Sequence, residues 1–296
     1  MEAYPLAEID DIMQKLGKSL KDIDGMPQLD SSLTQDLTNR LLNEELDYDR
    51  PSLKTLHEKS LNALNQFQRS AYDAILHSIQ HDEGKLFFIS SHGGTGKIFL
   101  WNTIASKLRS KSLIVLPVAT SGLASVLLPN GRTTHSRFHI PLDITAESIC
   151  EIKHGTQLAK PIQKTSLIIW DEAPMTHKYC FEALDKTLRD LMSIRYDNSR
   201  ARPFGGLTVV CGGDFHQILP VIPQGERADI IDASLNSSYL WPHFEIYELK
   251  QNMRLHKEGI DAVEAEKIAL FDKWLLQIGD GSLYDDSAHE IIRIPP

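Results

Sequence analysis

The chain has 296 residues, 42% of them hydrophobic and 24% charged, which is the balance of a folded domain able to bury a sizeable core. No apolar run approaches the roughly 20 residues that span a bilayer, and the acidic start MEAYPLAEIDD is unlike a secretory or mitochondrial leader. Three isolated cysteines (Cys150, Cys180, Cys211) suit a reducing compartment and give no metal-ligand spacing.

The net charge of −9 is unevenly spread. Residues 1–50 carry 12 acidic and 5 basic side chains, so most of the negative charge sits there. Between Glu83 and Asp143 there is no acidic residue, while Lys85, Lys97, Lys107, Arg109, Lys111, Arg132 and Arg137 fall inside that stretch. A local positive field of this kind suits a polyanion; it also suits a patch that serves a nucleotide alone.

Residues 1–60 are expected to be an acidic, mainly helical leader, loosely packed and broken at Gly25-Met26-Pro27. From Leu61 the patterning strengthens, and LNQFQRSAYDAILHSI reads as an amphipathic helix. LFFIS (86–90) follows as a buried strand, then SHGGTGKI (91–98), then FLWNTIASKLR (99–109) with apolar residues at helical spacing. Strand, glycine loop and helix in that order are the setting of a phosphate-binding loop. Backbone N–H groups of Gly93, Gly94, Thr95 and Gly96 would wrap the phosphates, and Lys97 would reach the β- and γ-phosphates. The pattern asks for Gly first and Ser or Thr last; this chain has Ser91 and Ile98. The second departure removes the hydroxyl that normally binds Mg²⁺.

Further strands are expected at 112–118, 166–170, 207–211 and 244–249, with a helix at 181–192 between them. The irregular segment 130–148 reads as a functional loop or small insertion. The strand at 166–170 ends in Asp171-Glu172, a pair suited to holding Mg²⁺ and activating water, and equally a helix N-cap region when met alone. The strand at 207–211 ends in GGDFHQILPV, where Gln217 could sense a γ-phosphate. After the last of these strands, LKQNMRL presents Arg254 as a cation for the same group, and as a lone surface arginine otherwise. A helix ending at Gly279-Asp280-Gly281 and a short strand at 290–294 complete the chain. Buried strands alternating with helices predict an α/β fold with a mostly parallel sheet covered by helices on both faces.

Taken with Gln68, ATSGLASVLLPNGRTTHSRF (119–138), IIWDEAPM (168–175), GGDFHQILPVI (212–222) and WPHFEIYELKQNMRL (241–255), the chain resembles the PIF (petite integration frequency) family of superfamily-1 5′-to-3′ DNA helicases. The ending WLLQIGDGSL resembles the branch carried by Helitron transposons. The resemblance implies a RecA-like P-loop NTPase domain over 61–257. It also implies that 258–296 holds a helix and the start of a region leading to a second motor domain beyond this chain. It implies ATP and Mg²⁺ as cofactors, with Gln68 recognising adenine, Gly94, Gly96 and Lys97 holding the triphosphate, and Asp171 holding the metal. Glu172 would activate water, Gln217 would sense the γ-phosphate, and Arg254 would stabilise transition-state charge. Thr120, Ser121, Thr134, His135, Ser136, Arg137 and Phe138 would lie along single-stranded DNA, with Phe138 either stacking on a base or anchoring the loop in the core.

The expected activity is ATP-dependent DNA unwinding, with hydrolysis impaired by Ile98 and by the missing second domain, which could act in trans. A non-catalytic nucleotide- or DNA-binding module and a transposon-derived relic are the alternatives. A GTPase lacks support because no NKxD guanine-reading motif occurs. The family also carries expectations of DNA junctions as partners, of repair, recombination and telomere maintenance as processes, and of a nuclear location.

Overall fold

The structure is a computed structural model and describes residues 23, 25–26, 42–156, 158–253, 262–279 and 281–282. Arg254 and the strand expected at 290–294 lie outside the described residues. Helix α1 (Arg50–Asn62) starts at Asp49, whose carboxylate accepts the Ser52 N–H, with Pro51 in the first turn where its missing N–H costs nothing. Helix α2 (Gln66–Gln80) opens on a reciprocal capping box between Asn65 and Gln68.

Strand β1 (Leu86–Ser91) leads through the glycine loop into α3 (Lys97–Ser110). Next come β2 (Ile114–Ala119), the short α4 (Gly122–Val126), the two-residue β3 (Arg132–Thr133) and the short α5 (Thr134–Phe138). The one-turn α6 (Ala159–Gln163) precedes β4 (Thr165–Asp171), which is followed by α7 (Lys178–Leu191) and β5 (Thr208–Gly213). Helix α8 (Arg227–Ala233), β6 (Phe244–Leu249) and α9 (Ala262–Gly279) end the described fold.

The six strands form one sheet in the order β3-β2-β4-β5-β1-β6, and every adjacent pair is parallel. Strand residues alternate between two apolar faces, which is why the strands read as continuous hydrophobic runs. One face sets Phe88, Leu116, Ile168, Trp170 and Cys211 against Phe181, Leu184 and Leu188 of α7. The other sets Phe87, Ile89, Val115, Ile169 and Val210 against Ala71 and Ile75 of α2 and Leu100, Trp101 and Ile104 of α3. Because all strands run the same way, Ser91, Ala119, Asp171, Gly213 and Leu249 end at one edge of the sheet, the edge where open α/β sheets bind ligands.

The segment expected to be a loose leader packs into this body from residue 42 onward. Leu42 and Leu46 lie against the first core face, and α1 lies along α3. The boundary placed at residue 60 therefore falls within a helix. Glu45, 3% exposed, pairs with Arg137 at 2.7 Å; Glu44 approaches Arg132 at 3.9 Å; the Tyr48 ring lies 4.5 Å beneath the Arg109 guanidinium. Three of the cations that formed the predicted positive field are thus engaged by the acidic segment upstream. No described helix is long and apolar enough to cross a membrane.

Candidate functional site

The loop between β1 and α3 is built around Gly96, whose φ of 82° puts it in the left-handed region at the start of the helix. A Cβ there would lie 2.5 Å from Gln68 Nε2 and 3.1 Å from Met253 Cγ, so the close approach of these neighbours requires glycine. The loop is held from outside by Gln68 and Met253 and within itself by Thr95. Gln68 Nε2 donates to the carbonyl of Thr95 at 3.1 Å, the Met253 N–H donates to the carbonyl of Gly94 at 2.8 Å, and Thr95 Oγ1 donates to the carbonyl of His92 at 2.9 Å. His92 also lies 3.8 Å from Asp272 of α9.

Gln68 is fully buried, and its Oε1 accepts the Asn65 N–H at 3.2 Å. Both ends of its amide are committed to the fold. In the structure it clamps the loop to the start of α2. Asn65 and Met253 belong to the same clamp and escaped the sequence reading. Their signals were the capping box and the position just before Arg254.

Lys97 begins α3 at the edge of the sheet, and beside it Asp171 ends β4 with Glu172 directly after. Lys97 Nζ lies 2.9 Å from Asp171 Oδ1 and 2.9 Å from Glu172 Oε1. Lys97 is 13% exposed and Asp171 only 2%, so this cluster sits at the rim of a largely dry site, where charges act strongly on one another. One ammonium faces two carboxylates, leaving a net negative charge that a divalent cation can complete. Glu172 adopts φ 52°, a left-handed conformation uncommon for a side-chain-bearing residue and of the kind that accumulates at functional sites. Its backbone is held there by Thr120, whose Oγ1 donates to the Glu172 carbonyl at 2.7 Å while its N–H donates to the Asp171 carbonyl.

Asp171 Oδ1 also accepts the indole N–H of Trp101 at 3.1 Å. Ile98, at the place of the usual hydroxyl, is half-buried and packs against the α2–α3 core face. It brings no oxygen to the cluster. Among the described residues there is no group of three or more His, Cys, Asp or Glu side chains set to hold a metal. The donor set fits Mg²⁺, which commonly takes only one or two carboxylates and completes its shell with water and substrate phosphates.

Gln217 lies on the exposed loop after β5 and turns back to Asp214, 3.4 Å from Oδ2. Among the described residues no hydrogen bond joins it to Lys97, Asp171 or Glu172.

The segment expected to follow DNA is divided by burial. Ser136 is exposed and His135 half-exposed, and burial holds the His135 pKa below its ordinary value, so the ring is neutral at pH 7. Ser121 caps α4 by accepting the Ala124 N–H, and the Thr120 hydroxyl is spent on Glu172 and Thr176. Arg137 is 5% exposed and bound to Glu45, and Thr134 is buried. Phe138 is 0% exposed and packs 6.4 Å from the Trp170 ring centroid. Of the two readings of Phe138, the structure selects the core anchor. Arg137 likewise cannot reach a phosphate while its charge is committed inward.

Comparison with known proteins gives a consistent neighbourhood. A family model described as PIF1-like helicase matches residues 63–289. The ATP-dependent DNA helicase Pif1 of Psychrobacter sp. is 29% identical over 182 residues, covering 60% of this chain and 27% of that protein. The Bdellovibrio bacteriovorus protein of the same name is 33% identical over 149 residues, covering 49% of this chain and 31% of the relative. Among solved structures, Pif1 helicase from Candida albicans superposes with a TM-score of 0.55 at 25% identity, covering 76% of this chain and 46% of that one. Pif1 helicase from Bacteroides in complex with ADP-AlF3 and ssDNA gives 0.54 at 25% identity, covering 73% and 47%. The chain spans less than a third of the first of these relatives and about half of each solved structure.

Proposed function

The chain belongs to the PIF1-like helicase family, and from that premise we propose that it forms the ATP-binding first motor domain of a PIF-type DNA helicase, with hydrolysis weakened by Ile98. The observation that carries the reading is the Lys97–Asp171–Glu172 cluster at the carboxyl edge of a parallel sheet, directly below a glycine loop. Loop N–H groups and Lys97 bind the triphosphate, and Asp171 would hold Mg²⁺ with Glu172 beside it. Bound Mg²⁺ supplies Lewis-acid neutralisation of phosphate charge.

Lys97 pairs with both carboxylates and offsets one of their two negative charges. A triphosphate competes for the same ammonium, so nucleotide binding frees Asp171 and Glu172 to act. Glu172, positioned by Thr120, is the residue suited to accept a proton from an attacking water. The Thr120 bonds also tie that glutamate to the segment that carries Ser121, His135 and Ser136. These three are the side chains we assign to single-stranded DNA, because they remain accessible and polar. The homologous Bacteroides protein was solved with ssDNA, which supports a single strand as partner.

Unwinding itself, action at DNA junctions, supply of a second motor domain in trans, service in repair, recombination or telomere maintenance, and a nuclear location belong to this proposal as family expectations. Ile98 favours a second reading, a nucleotide-binding module without turnover. The binding step is tested by titrating a fluorescent ATP analogue against the native chain and Lys97→Ala. The proposal predicts a loss of at least about tenfold in the variant, the scale of losing a charge-assisted contact. Equal affinities would remove it.

A further inference from the structure

We propose that Trp101 is a positioning residue for Asp171, fixing that carboxylate for the divalent cation in a loop that has no hydroxyl beside its lysine. The inference rests on the nucleotide-binding reading above. Trp101 lies one turn after Lys97 in α3 and is 0% exposed. A buried indole N–H must find an acceptor. Here it finds Asp171 Oδ1 at 3.1 Å, the same oxygen that Lys97 holds at 2.9 Å.

The chemistry of the two partners differs. Lys97 cancels the charge of Asp171, and phosphates compete for it. The indole is a neutral, donor-only group. It leaves the carboxylate negative and, being enclosed, stays when the ammonium is drawn away. Asp171 then keeps one fixed bond, which restricts its rotation and presents a defined carboxylate to the metal. Outer-shell donors to metal-binding carboxylates have this orienting effect generally.

The fold makes room for the arrangement. A Cβ on Gly212, at the carboxyl end of β5, would lie 2.6 Å from Trp101 Cζ2 and 3.1 Å from Lys97 Cδ. The indole and the lysine stem therefore occupy space that only glycine leaves open, and α3, β4 and β5 interlock around Asp171. Ile98 packs toward the core and brings no oxygen. Among the described residues the indole N–H and Lys97 are the side-chain donors that hold Asp171.

The test compares the 296-residue chain with Trp101→Phe, measuring affinity for a fluorescent ADP analogue in Mg²⁺ and again in EDTA. The expected result is a loss of about tenfold or more in Mg²⁺, the scale of one hydrogen bond to a charged group, with affinity in EDTA unchanged within about twofold. In an Asp171→Asn background the same substitution should cost no further Mg²⁺-dependent affinity, since both changes act through one carboxylate. Equal losses in Mg²⁺ and EDTA, or additive losses with Asp171→Asn, would make Trp101 a packing residue and overturn the proposal. Normal binding by the native chain with an unaltered Mg²⁺ dependence in the variant overturns the role of Trp101 alone. Failure of the native chain to bind nucleotide removes the underlying reading and this one with it.

Discussion

Replacing Glu45 by alanine should destabilise the whole domain, although the residue lies in the acidic stretch that sequence reading sets apart. Glu45 and Arg137 are 3% and 5% exposed and meet at 2.7 Å. Among the described residues Arg137 Nε and Nη2 are buried without a hydrogen-bond partner, so the Glu45 bond carries the charge compensation there. Removing one member of a buried pair leaves an uncompensated charge and costs about 3–5 kcal/mol. A domain of this kind holds about 5–15 kcal/mol in all. At about 2–4 °C per kcal/mol for domains of 150–250 residues, the melting temperature should fall by roughly 10 °C. Thermal and urea denaturation followed by circular dichroism measure this directly. The double variant Glu45→Leu with Arg137→Met should recover most of the loss, because apolar replacement of a buried pair is close to neutral. A cost for Glu45→Ala below about 1 kcal/mol, the value of an exposed pair, would refute the claim that residues 42–49 belong to the fold.

Two further outcomes follow from burial and charge. Burial pushes the thiols of Cys150 and Cys180 up to about 12 and that of Cys211 higher still, so all three should resist an aromatic disulfide reagent at pH 8 and react fully in denaturant. Since these folded values lie above the unfolded thiol value of about 8.5, the stability they contribute is complete below that pH and is lost as pH rises toward about 12. Lys97→Ala should also lower the stability of the chain by about 1–3 kcal/mol, because among the described residues Asp171 would keep the indole N–H as its one side-chain donor. Unchanged urea midpoints would contradict the charge cluster.

Much of the fold was legible in the chain. The strand expected at 244–249 is found at Phe244–Leu249, and those at 86–90 and 166–170 lengthen by a residue or two. Buried parallel strands advertise themselves as short β-branched runs, and a glycine loop between strand and helix is local in sequence. Lys97, Asp171 and Glu172 were readable for the same reason: each sits where a strand ends or a helix begins. What was misread depends on pairing across distance. Arg137 and Glu45 are 92 positions apart, and nothing near Arg137 reveals that its charge is answered from upstream. The clamp that Gln68 makes between Asn65 and Thr95 is equally invisible from its own neighbourhood in the chain. Trp101 reads as one more core aromatic in an apolar helix; only the sheet order brings Asp171 within reach of its N–H.

The central claim is that this chain keeps the ATP-binding core of its family but lacks one oxygen needed for turnover. Phosphate release in saturating Mg²⁺ and ATP, with and without single-stranded DNA, for the native chain and Ile98→Thr tests it most directly. Restoring the hydroxyl should raise turnover by about 10²–10³, the usual worth of one preorganised electrostatic contact at the transition state. Native turnover equal to that of the threonine variant would contradict the account.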